Sequence, residues 1–186
     1  MRILVALNLT KKEKGRVYKA ARPLRDENLP VRWVEPDDYH ITLKFLGETG
    51  DQSLGEIEQA LNKVASSNGP ICLELREFGA LPTIRRPSVL WIGAAPTPPL
   101  RCLKQDIEWA LSDRGFERDT GAFHPHVTLG RADEADGAGA FRGLDQIAAD
   151  LDYQGSTTVR RIDLMRSRPA KGGAHFSVLS SYRLSG

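Results

Sequence analysis

Histidine and threonine occur two positions apart at two places in this 186-residue chain. The first copy is His40 with Thr42, within YHITLKFLG, and the second is His126 with Thr128, within HVTLG. In both copies the polar residues alternate with apolar ones, as in a β-strand with one polar and one buried face. Each half of the chain holds one copy, so we expect two equivalent strands to bring both pairs into one cleft.

Two histidines facing one cleft could carry out general acid–base catalysis, because imidazole titrates near pH ~6.5. One ring would take a proton from the attacking nucleophile, and the other would give a proton to the leaving oxygen. Threonine hydroxyls are neutral donors that suit phosphate oxygens, so the set predicts in-line displacement at phosphorus. A lone His-x-Thr pair is usually structural, whereas two matched copies favour chemistry. The two copies are too alike to decide which histidine is the acid.

The elements that must position these residues predict an α+β fold with antiparallel pairings. Pro23 predicts an early end or a kink in a helix over Lys11–Arg25, and Ser53 with Glu56 has the spacing of a capping box. No Pro/Ser-rich linker divides the chain, so residues 1–186 are predicted to form a single domain. The expected strands are Ile3–Leu9, the two histidine segments, Ile71–Leu75, Val89–Ile92, Thr157–Leu164 and His175–Leu184.

Composition limits the classes of function. Apolar residues make up 40% and charged residues 27%, as in soluble globular proteins. The net charge is +2, so an anionic partner must be bound by a local pocket and not by bulk charge. Cys72 and Cys102 form no recognisable disulfide framework, which predicts a cytoplasmic protein. The first apolar run predicts a strand and not a signal peptide, and no run is long enough to span a membrane.

The segments HITLKFLGE and HPHVTLGR resemble the two H-x-T-x signatures of the 2H phosphoesterase superfamily. Within it the chain is most similar to the RNA 2′,3′-cyclic phosphodiesterases, historically called 2′-5′ RNA ligases. VRWVEPDDYHITLKFLGE, RRPSVLWIG, FHPHVTLGR and HFSVLSSYRL occur in the order expected for that family. The resemblance covers most of the chain, and Ala132–Ala149 is its least informative part.

The resemblance implies one bilobal domain, with two pseudo-symmetric lobes, each an antiparallel sheet with helices, around a central cleft. It implies hydrolysis of the 2′,3′-cyclic phosphate end of RNA or an oligonucleotide to a 2′-phosphate by a monomer that needs no cofactor. His40 would be the proton donor to the departing 3′ oxygen, and His126 the proton acceptor that activates water. Thr42 and Thr128 would hold the phosphate.

Three further residues are candidate substrate contacts. Arg131 follows the second motif, and a phosphate contact and a solvated arginine are equally supported. Lys44 shares the face of His40 and could contact an anion, although a lysine at a strand end in water is slightly favoured. His124 and His126 suggest a metal site, but no third ligand stands at a recognisable spacing, so we predict no metal.

The aromatic residues are assigned mainly to the core. Trp33, Trp91, Trp109 and Phe45 are predicted to be buried, and His175 to be structural or at the surface. A base-stacking aromatic residue could be any of three that the sequence does not separate, namely Tyr39, Phe123 and Phe176.

Other functions are compatible with the same motifs. One is 2′-5′ RNA end ligation, since microscopic reversibility gives the two histidines both directions, and another is hydrolysis of a small cyclic nucleotide. A non-catalytic RNA- or nucleotide-binding module would not need a matched acid and base. A metal-dependent hydrolase that uses His124 and His126 would lose activity with a chelator.

Overall fold

The structure is a computed structural model that describes residues 1–133 and 137–186. Its strands are β1 (Arg2–Asn8), β2 (Val31–Trp33), β3 (His40–Glu48), β4 (Ile71–Pro82), β5 (Pro87–Ala94), β6 (His126–Ala132), β7 (Gln154–Val159), β8 (Arg161–Ala170) and β9 (Gly173–Arg183). Its α-helices are α1 (Lys11–Ala20), α2 (Arg22–Asp26), α3 (Leu54–Ser66), α4 (Pro98–Ser112) and α5 (Leu144–Asp150).

The strands of the described residues form one nine-stranded sheet in the order β7-β4-β5-β6-β3-β1-β8-β9, with β2 beside β6. Every recorded pairing is antiparallel, which confirms the predicted α+β class. The two histidine strands, β3 and β6, are neighbours at the centre of the sheet. The sheet therefore divides into two halves that meet where the two motifs lie.

One face of the sheet carries the main hydrophobic core. Ile3, Val5 and Leu7 of β1 are fully buried there, in one cluster with residues of α1, α3 and α4. The alternate residues Leu4 and Ala6 point to the opposite face, where they join a small cluster with Met165. The helices thus cover one face, and the other is free to form the cleft. No α-helix of the described ranges is both long and apolar enough to cross a lipid bilayer.

Several local predictions can be compared with the fold. The break expected at Pro23 is confirmed, because α1 ends at Ala20 and a separate α2 begins at Arg22. The capping box at Ser53 is wrong, since its side chain caps no backbone amide and a 3-10 turn precedes α3. The strand expected over Thr157–Leu164 is two strands, β7 and β8.

Two of the aromatic residues assigned to the core lie at the surface. Trp109 has 51% of its surface exposed, beneath the guanidinium of Arg118, and Phe45 is also 51% exposed. Trp109 follows the buried Glu108 on α4 and faces outward. The assignment of Phe45 to the core assumed that side chains alternate without interruption along β3. A bulge interrupts that alternation.

Both histidine strands contain a β-bulge directly after the His-x-Thr pair. In β3 the pairing steps from Thr42 opposite Ala6 to Lys44 opposite Val5, so Leu43 is the extra residue. In β6 it steps from Thr128 opposite Trp91 to Gly130 opposite Leu90, leaving a second leucine, Leu129, as the extra residue. A bulge reverses the alternation of side chains beyond it. The residues after each bulge therefore lie on the faces opposite to those the sequence predicts.

Candidate active site

The two motifs meet where Ile41 of β3 pairs with Val127 of β6. Both of these apolar side chains are fully buried in the main core. The antiparallel register then directs Thr42 toward His126 and His40 toward Thr128 on the opposite face. The pairing register of β3 and β6 thus brings the two His-x-Thr pairs together on one face of the sheet, as predicted.

The imidazole of His40 is held in one orientation by a main-chain contact. Its Nδ1 lies 2.8 Å from the carbonyl oxygen of Asp38, which can only accept, so Nδ1 carries a proton. In the neutral ring Nε2 is then unprotonated, and it lies 3.1 Å from Oγ1 of Thr42. The threonine hydroxyl donates to neutral Nε2 and accepts from it when His40 is protonated. The ring can therefore change protonation state at Nε2 without turning.

The imidazole of His126 is held in the same way. Its Nδ1 donates to the carbonyl oxygen of His124 at 2.7 Å, two residues earlier in the chain. Each histidine thus binds the carbonyl two positions before it and keeps Nε2 for proton transfer. A second contact positions the ring of His126, because the indole of Trp91 lies 6.3 Å away between centroids and is tilted by 48°.

Burial lowers the pKa of His40 below its ordinary value of 6.5. The hydrogen bond to Asp38 opposes this effect, while the positive charges of Lys14 and Arg131 add to it. Lys14 is directed here by hydrogen bonds from its Nζ to Oδ1 of Asn8, at 3.3 Å, and to the carbonyl of Asp37, at 3.1 Å. These surroundings favour a neutral His40 between two cations, an arrangement suited to an anionic ligand.

A contact from the far end of the chain supports His40. The buried carboxylate of Asp38 accepts hydrogen bonds from Nδ1 of His175, at 2.8 Å, and from the backbone amide of Phe176, at 3.0 Å. The ring of Phe176 packs on the imidazole of His40, with 4.5 Å between centroids. The carbonyl of Asp38 therefore orients the imidazole of His40. Its carboxylate binds the backbone of Phe176 and so holds the Phe176 ring against that imidazole.

The bulge in β6 places Arg131 on the cleft face. Arg131 is exposed, pairs with Val89 of β5, and shares the face of Thr128 because Leu129 is the extra residue. Its charge acts on His40, as the lowered pKa of that ring reflects. The sequence supported a phosphate contact and a solvated arginine equally, and the register places Arg131 on the cleft face.

The bulge in β3 removes Lys44 from the face of His40, where the sequence placed it. Its Nζ lies 2.7 Å from Oε2 of Glu108 and donates to the carbonyl of Glu117 at 2.7 Å, and the side chain is only 6% exposed. Lys104 binds the other oxygen of Glu108 at 2.6 Å. Lys44 is therefore not in water, and its ammonium is held by the ion pair with Glu108, although the residue also borders a cavity that His126 lines. A contact between Lys44 and substrate stays a prediction.

Glu108 is the centre of this buried cluster. Burial alone would raise the pKa of its carboxyl, but the hydrogen bonds from Lys104 and Lys44 outweigh that effect and lower the pKa below 4.5. The backbone amide of Asp119 adds a further hydrogen bond at 2.9 Å. The cluster joins α4 to β3 and to the loop that leads toward His126.

His124 contributes its carbonyl to the site, while its side chain is exposed. Among residues 1–133 and 137–186 no three His, Cys, Asp or Glu side chains gather closely enough to hold a metal ion. His124 also borders the two cavities next to His126. One has a volume of about 320 Å³ and extends past Thr42 to Phe45, and the other, of about 350 Å³, extends along Trp91.

Sequence reasoning missed four contributors to the site, namely Lys14, Asp38, Phe176 as a support for His40, and Trp91 beside His126. Among the aromatic candidates for stacking, Tyr39 is 1% exposed and buried in the core, whereas Phe123 borders both cavities. The adjacency of Asp38 to the first motif was visible, but its partners stand 137 and 138 positions away.

The match to a family model decides the relationship of this chain to known proteins. The model of the 2′-5′ RNA ligase superfamily matches residues 16–170, a span that includes both motifs and the helices and strands between them. The chain belongs to the 2′-5′ RNA ligase superfamily. The resemblance to the 2H phosphoesterases is thereby confirmed.

Several curated relatives of the chain share one name. The RNA 2′,3′-cyclic phosphodiesterase of Aeropyrum pernix is 32% identical over 166 residues, which are 89% of this chain and 93% of that protein. The protein of the same name from Methanothermobacter thermautotrophicus is 27% identical, with 99% of each chain covered. The enzyme class predicted from the sequence is the class that these relatives' names give.

Solved structures share the fold over the whole chain. The crystal structure of the protein TT0787 of Thermus thermophilus has a TM-score of 0.81 at 22% identity, covering 100% of this chain and 99% of that one. The crystal structure of E. coli LigT complexed with 3′-AMP has a TM-score of 0.71 at 24% identity, covering 100% and 98%. The single bilobal domain, the monomeric state and the cytoplasmic location stay predictions.

Proposed function

We propose that this protein hydrolyses the 2′,3′-cyclic phosphate at the end of RNA or of an oligonucleotide and leaves a 2′-phosphate. The observation that carries the proposal is the matched anchoring of His40 and His126. The Nδ1–H group of each ring donates a hydrogen bond to the carbonyl two residues earlier, so both rings keep Nε2 for proton transfer. The names of the curated relatives support the same activity.

In the proposed reaction a water molecule attacks phosphorus opposite the 3′ oxygen. Nε2 of His126 accepts a proton from the water as the new P–O bond forms, and protonated Nε2 of His40 donates a proton to the 3′ oxygen as its bond to phosphorus breaks. The 2′ oxygen keeps its bond to phosphorus, so the product is a 2′-phosphate with a free 3′ hydroxyl. The assignment of donor and acceptor follows the family resemblance.

The phosphate oxygens would be held by neutral and charged donors. Thr42 and Thr128 would donate hydrogen bonds to the non-bridging oxygens, on which charge increases in the transition state. Arg131 shares their face beyond the bulge and would add a positive charge on the His40 side of the site. These three contacts are parts of the proposal.

A proton donor must be protonated when it acts, yet the pKa of His40 is lowered in the protein without substrate. Burial and two nearby cations favour the neutral ring. A bound phosphodiester brings a negative charge next to Nε2, which stabilises the imidazolium and raises the pKa of the ring. Substrate binding therefore supplies the charge that makes His40 an acid.

The proposal is tested with a short RNA that ends in a 2′,3′-cyclic phosphate, incubated with the wild type, His40→Ala and His126→Ala. We expect each variant to lose roughly 100- to 10,000-fold in kcat, the range typical of removing a general acid or base. Thr158→Ala, at an exposed position of β7, controls for effects of substitution and purification alone and should retain activity. Folded His126→Ala with near-normal turnover would refute the mechanism.

The same assay separates the other functions. Adding an RNA with a 5′ hydroxyl would reveal ligation as a longer product, and a mononucleotide 2′,3′-cyclic phosphate would reveal a preference for small substrates. If the wild type binds the cyclic end without converting it, the protein is a binding module and the proposed function fails.

A further inference from the structure

A flat aromatic surface lies next to the proposed catalytic histidines. The indole of Trp91 shares the cleft face of the sheet, because Trp91 pairs with Thr128 of β6 and the next residue on its face, Gly93, pairs with His126. The ring lines a cavity of about 350 Å³ that His126 also lines. This volume falls within the range of pockets that hold small molecules, roughly 300–1,000 Å³.

Two glycines make room for this ring. A Cβ atom at Gly79, directly across on β4, would meet Cη2 and Cζ2 of Trp91 at 2.6 Å, and one at Gly93 would meet Cζ3 at 3.2 Å. Neither glycine has a left-handed backbone conformation, so neither is needed for a turn. Both are small because the indole lies across them. The plane of the indole therefore lies along the floor of the cleft, and the ring does not project into the cleft.

No hydrogen bond fixes the indole within the described residues. Its Nε1 is buried and has no partner there, although a buried tryptophan usually donates from that atom. Packing over the two glycines holds the ring instead.

The surroundings of the ring match a nucleobase. Leu81, Pro96 and Phe123 supply apolar walls, and Arg76 with Glu77 supplies polar groups at one side. A base is an apolar disc with polar edges, and stacking on an aromatic side chain is how proteins hold single-stranded bases without reading their sequence. The base of a nucleotide is joined through its ribose to the phosphate that the histidines would bind.

We propose that this cavity is a nucleobase subsite and that the Trp91 ring is its stacking platform. The proposal rests on the proposed function, because it takes the phosphate of the same RNA to lie between His40 and His126. The base comes either from the terminal nucleotide, which carries the cyclic phosphate, or from its 5′ neighbour. Both present the same chemistry to the ring.

Three substrates separate these sources. Adenosine 2′,3′-cyclic phosphate has a terminal base, a methyl riboside 2′,3′-cyclic phosphate has none, and a dinucleotide with an abasic end has a base only on the 5′ neighbour. We expect the wild type to prefer one or both base-bearing substrates over the riboside by at least about 5-fold in kcat/KM, the lower limit for one stacked base. The preferred substrate identifies which base stacks.

Substitutions of Trp91 test whether its ring causes the preference for base-bearing substrates. Trp91→Leu should abolish it mainly through KM, while Trp91→Phe keeps an aromatic surface and should retain most of it. Trp109→Phe, at an exposed site on α4, is the matched control and should behave as the wild type. If Trp91→Leu slows the baseless riboside as much as the other substrates, the ring serves only His126 or the fold, and the proposal is wrong.

A binding measurement keeps the test independent of turnover. Adenosine 2′-phosphate should quench the tryptophan fluorescence of the wild type and of Trp109→Phe, and ribose 2-phosphate should not. The quenching should disappear in Trp91→Phe. If the wild type hydrolyses all three cyclic substrates equally and the nucleotide causes no quenching, the subsite is refuted while the proposed function stands. Absence of any hydrolysis alongside quenching would instead refute the proposed function and leave the subsite intact.

Discussion

Ile41 of β3 lies directly opposite Val127 of β6, and this pair joins the two halves of the sheet. Both side chains are buried on the helical face, so the residues on either side of each must face the cleft. The antiparallel register sets His40 beside Thr128 and His126 beside Thr42. The repeat of the motif along the sequence thus becomes an approximate two-fold relation in space, with one imidazole on each side of the Ile41–Val127 pair.

The proposed roles of the two histidines differ in a way that the leaving group can reveal. An aryl phosphodiester such as bis(p-nitrophenyl) phosphate has a leaving group that departs without a proton. We expect His40→Ala to retain much more of its activity on this ester than on the RNA, because it lacks only the acid. His126→Ala should lose both activities, since water still needs a base.

The comparison of relative rates on the two substrates is the measurement. If His126→Ala and not His40→Ala is the variant rescued by the aryl ester, the donor and acceptor are reversed. The lowered pKa of His40 makes this a real alternative, because a neutral ring is ready to accept a proton.

The titration of His40 should reflect its surroundings. Its pKa is held below 6.5 by burial and by the charges of Lys14 and Arg131. Replacing Arg131 with alanine removes a positive charge and should raise the pKa, as should binding of inorganic phosphate. NMR titration of the imidazole resonances measures both shifts. Arg22→Ala, at an exposed position of α2, is the control, and an equal shift in that variant would contradict the assignment.

Asp38 is a positioning residue for His40. In Asp38→Asn the carboxylate charge that raises the pKa of His40 is lost, so this pKa should fall further. Because His40 must be protonated to act as the acid, the alkaline limb of the kcat profile should move to lower pH. Weaker contacts to His175 and Phe176 should also displace the ring, with a loss of up to about 100-fold in kcat.

Asp37→Asn is the matched control, because the neighbouring side chain is exposed and takes no part in these contacts. A purely structural role for Asp38 would lower stability without moving the pH profile. That outcome would remove Asp38 from the account of the site.

Glu108 should contribute to stability and not to the chemical step. Glu108→Ala leaves the ammonium groups of Lys44 and Lys104 buried without their counter-ion, which typically costs about 3–5 kcal/mol of the free energy of unfolding. Glu56→Ala, at an exposed position of α3, should change it little. Urea unfolding of both variants at pH 7 measures the difference.

The pH dependence of this contribution follows from the lowered pKa of Glu108. A carboxyl whose pKa is lower in the folded than in the unfolded protein stabilises the fold above the unfolded value, near 4.5. The contribution is lost as the pH falls through the folded pKa. The stability difference between the wild type and Glu108→Gln should therefore shrink below pH 4.5, and a difference that stays constant there would contradict the ion-pair account.

The site could be predicted from the sequence where it depends on strand alternation and motif spacing. His40, Thr42, His126 and Thr128 stand before the bulges, so counting alternate residues assigned them to one face correctly. Beyond Leu43 and Leu129 the same counting fails. Lys44 is buried in an ion pair, Phe45 is exposed, and Arg131 returns to the cleft face, since a bulge is a property of strand pairing that has no fixed residue signature.

The contacts that support the histidines could not be predicted, because they join distant parts of the chain. Asp38 meets His175 and Phe176 only after β9 has been placed at the edge of the sheet. Trp91 was assigned to the core because of its apolar neighbours in VLWIG. Its place on the cleft floor depends on Gly79, which the sheet register brings opposite to it.

The most direct test of the central claim is the position of the phosphate in the product. A short RNA ending in a 2′,3′-cyclic phosphate is incubated with the wild-type protein in excess EDTA, and the product is resolved by ³¹P NMR. We expect the 2′-phosphate, since His40 protonates the departing 3′ oxygen and neither histidine needs a metal. A 3′-phosphate, or a reaction that proceeds only after a divalent metal is restored, would contradict this mechanism.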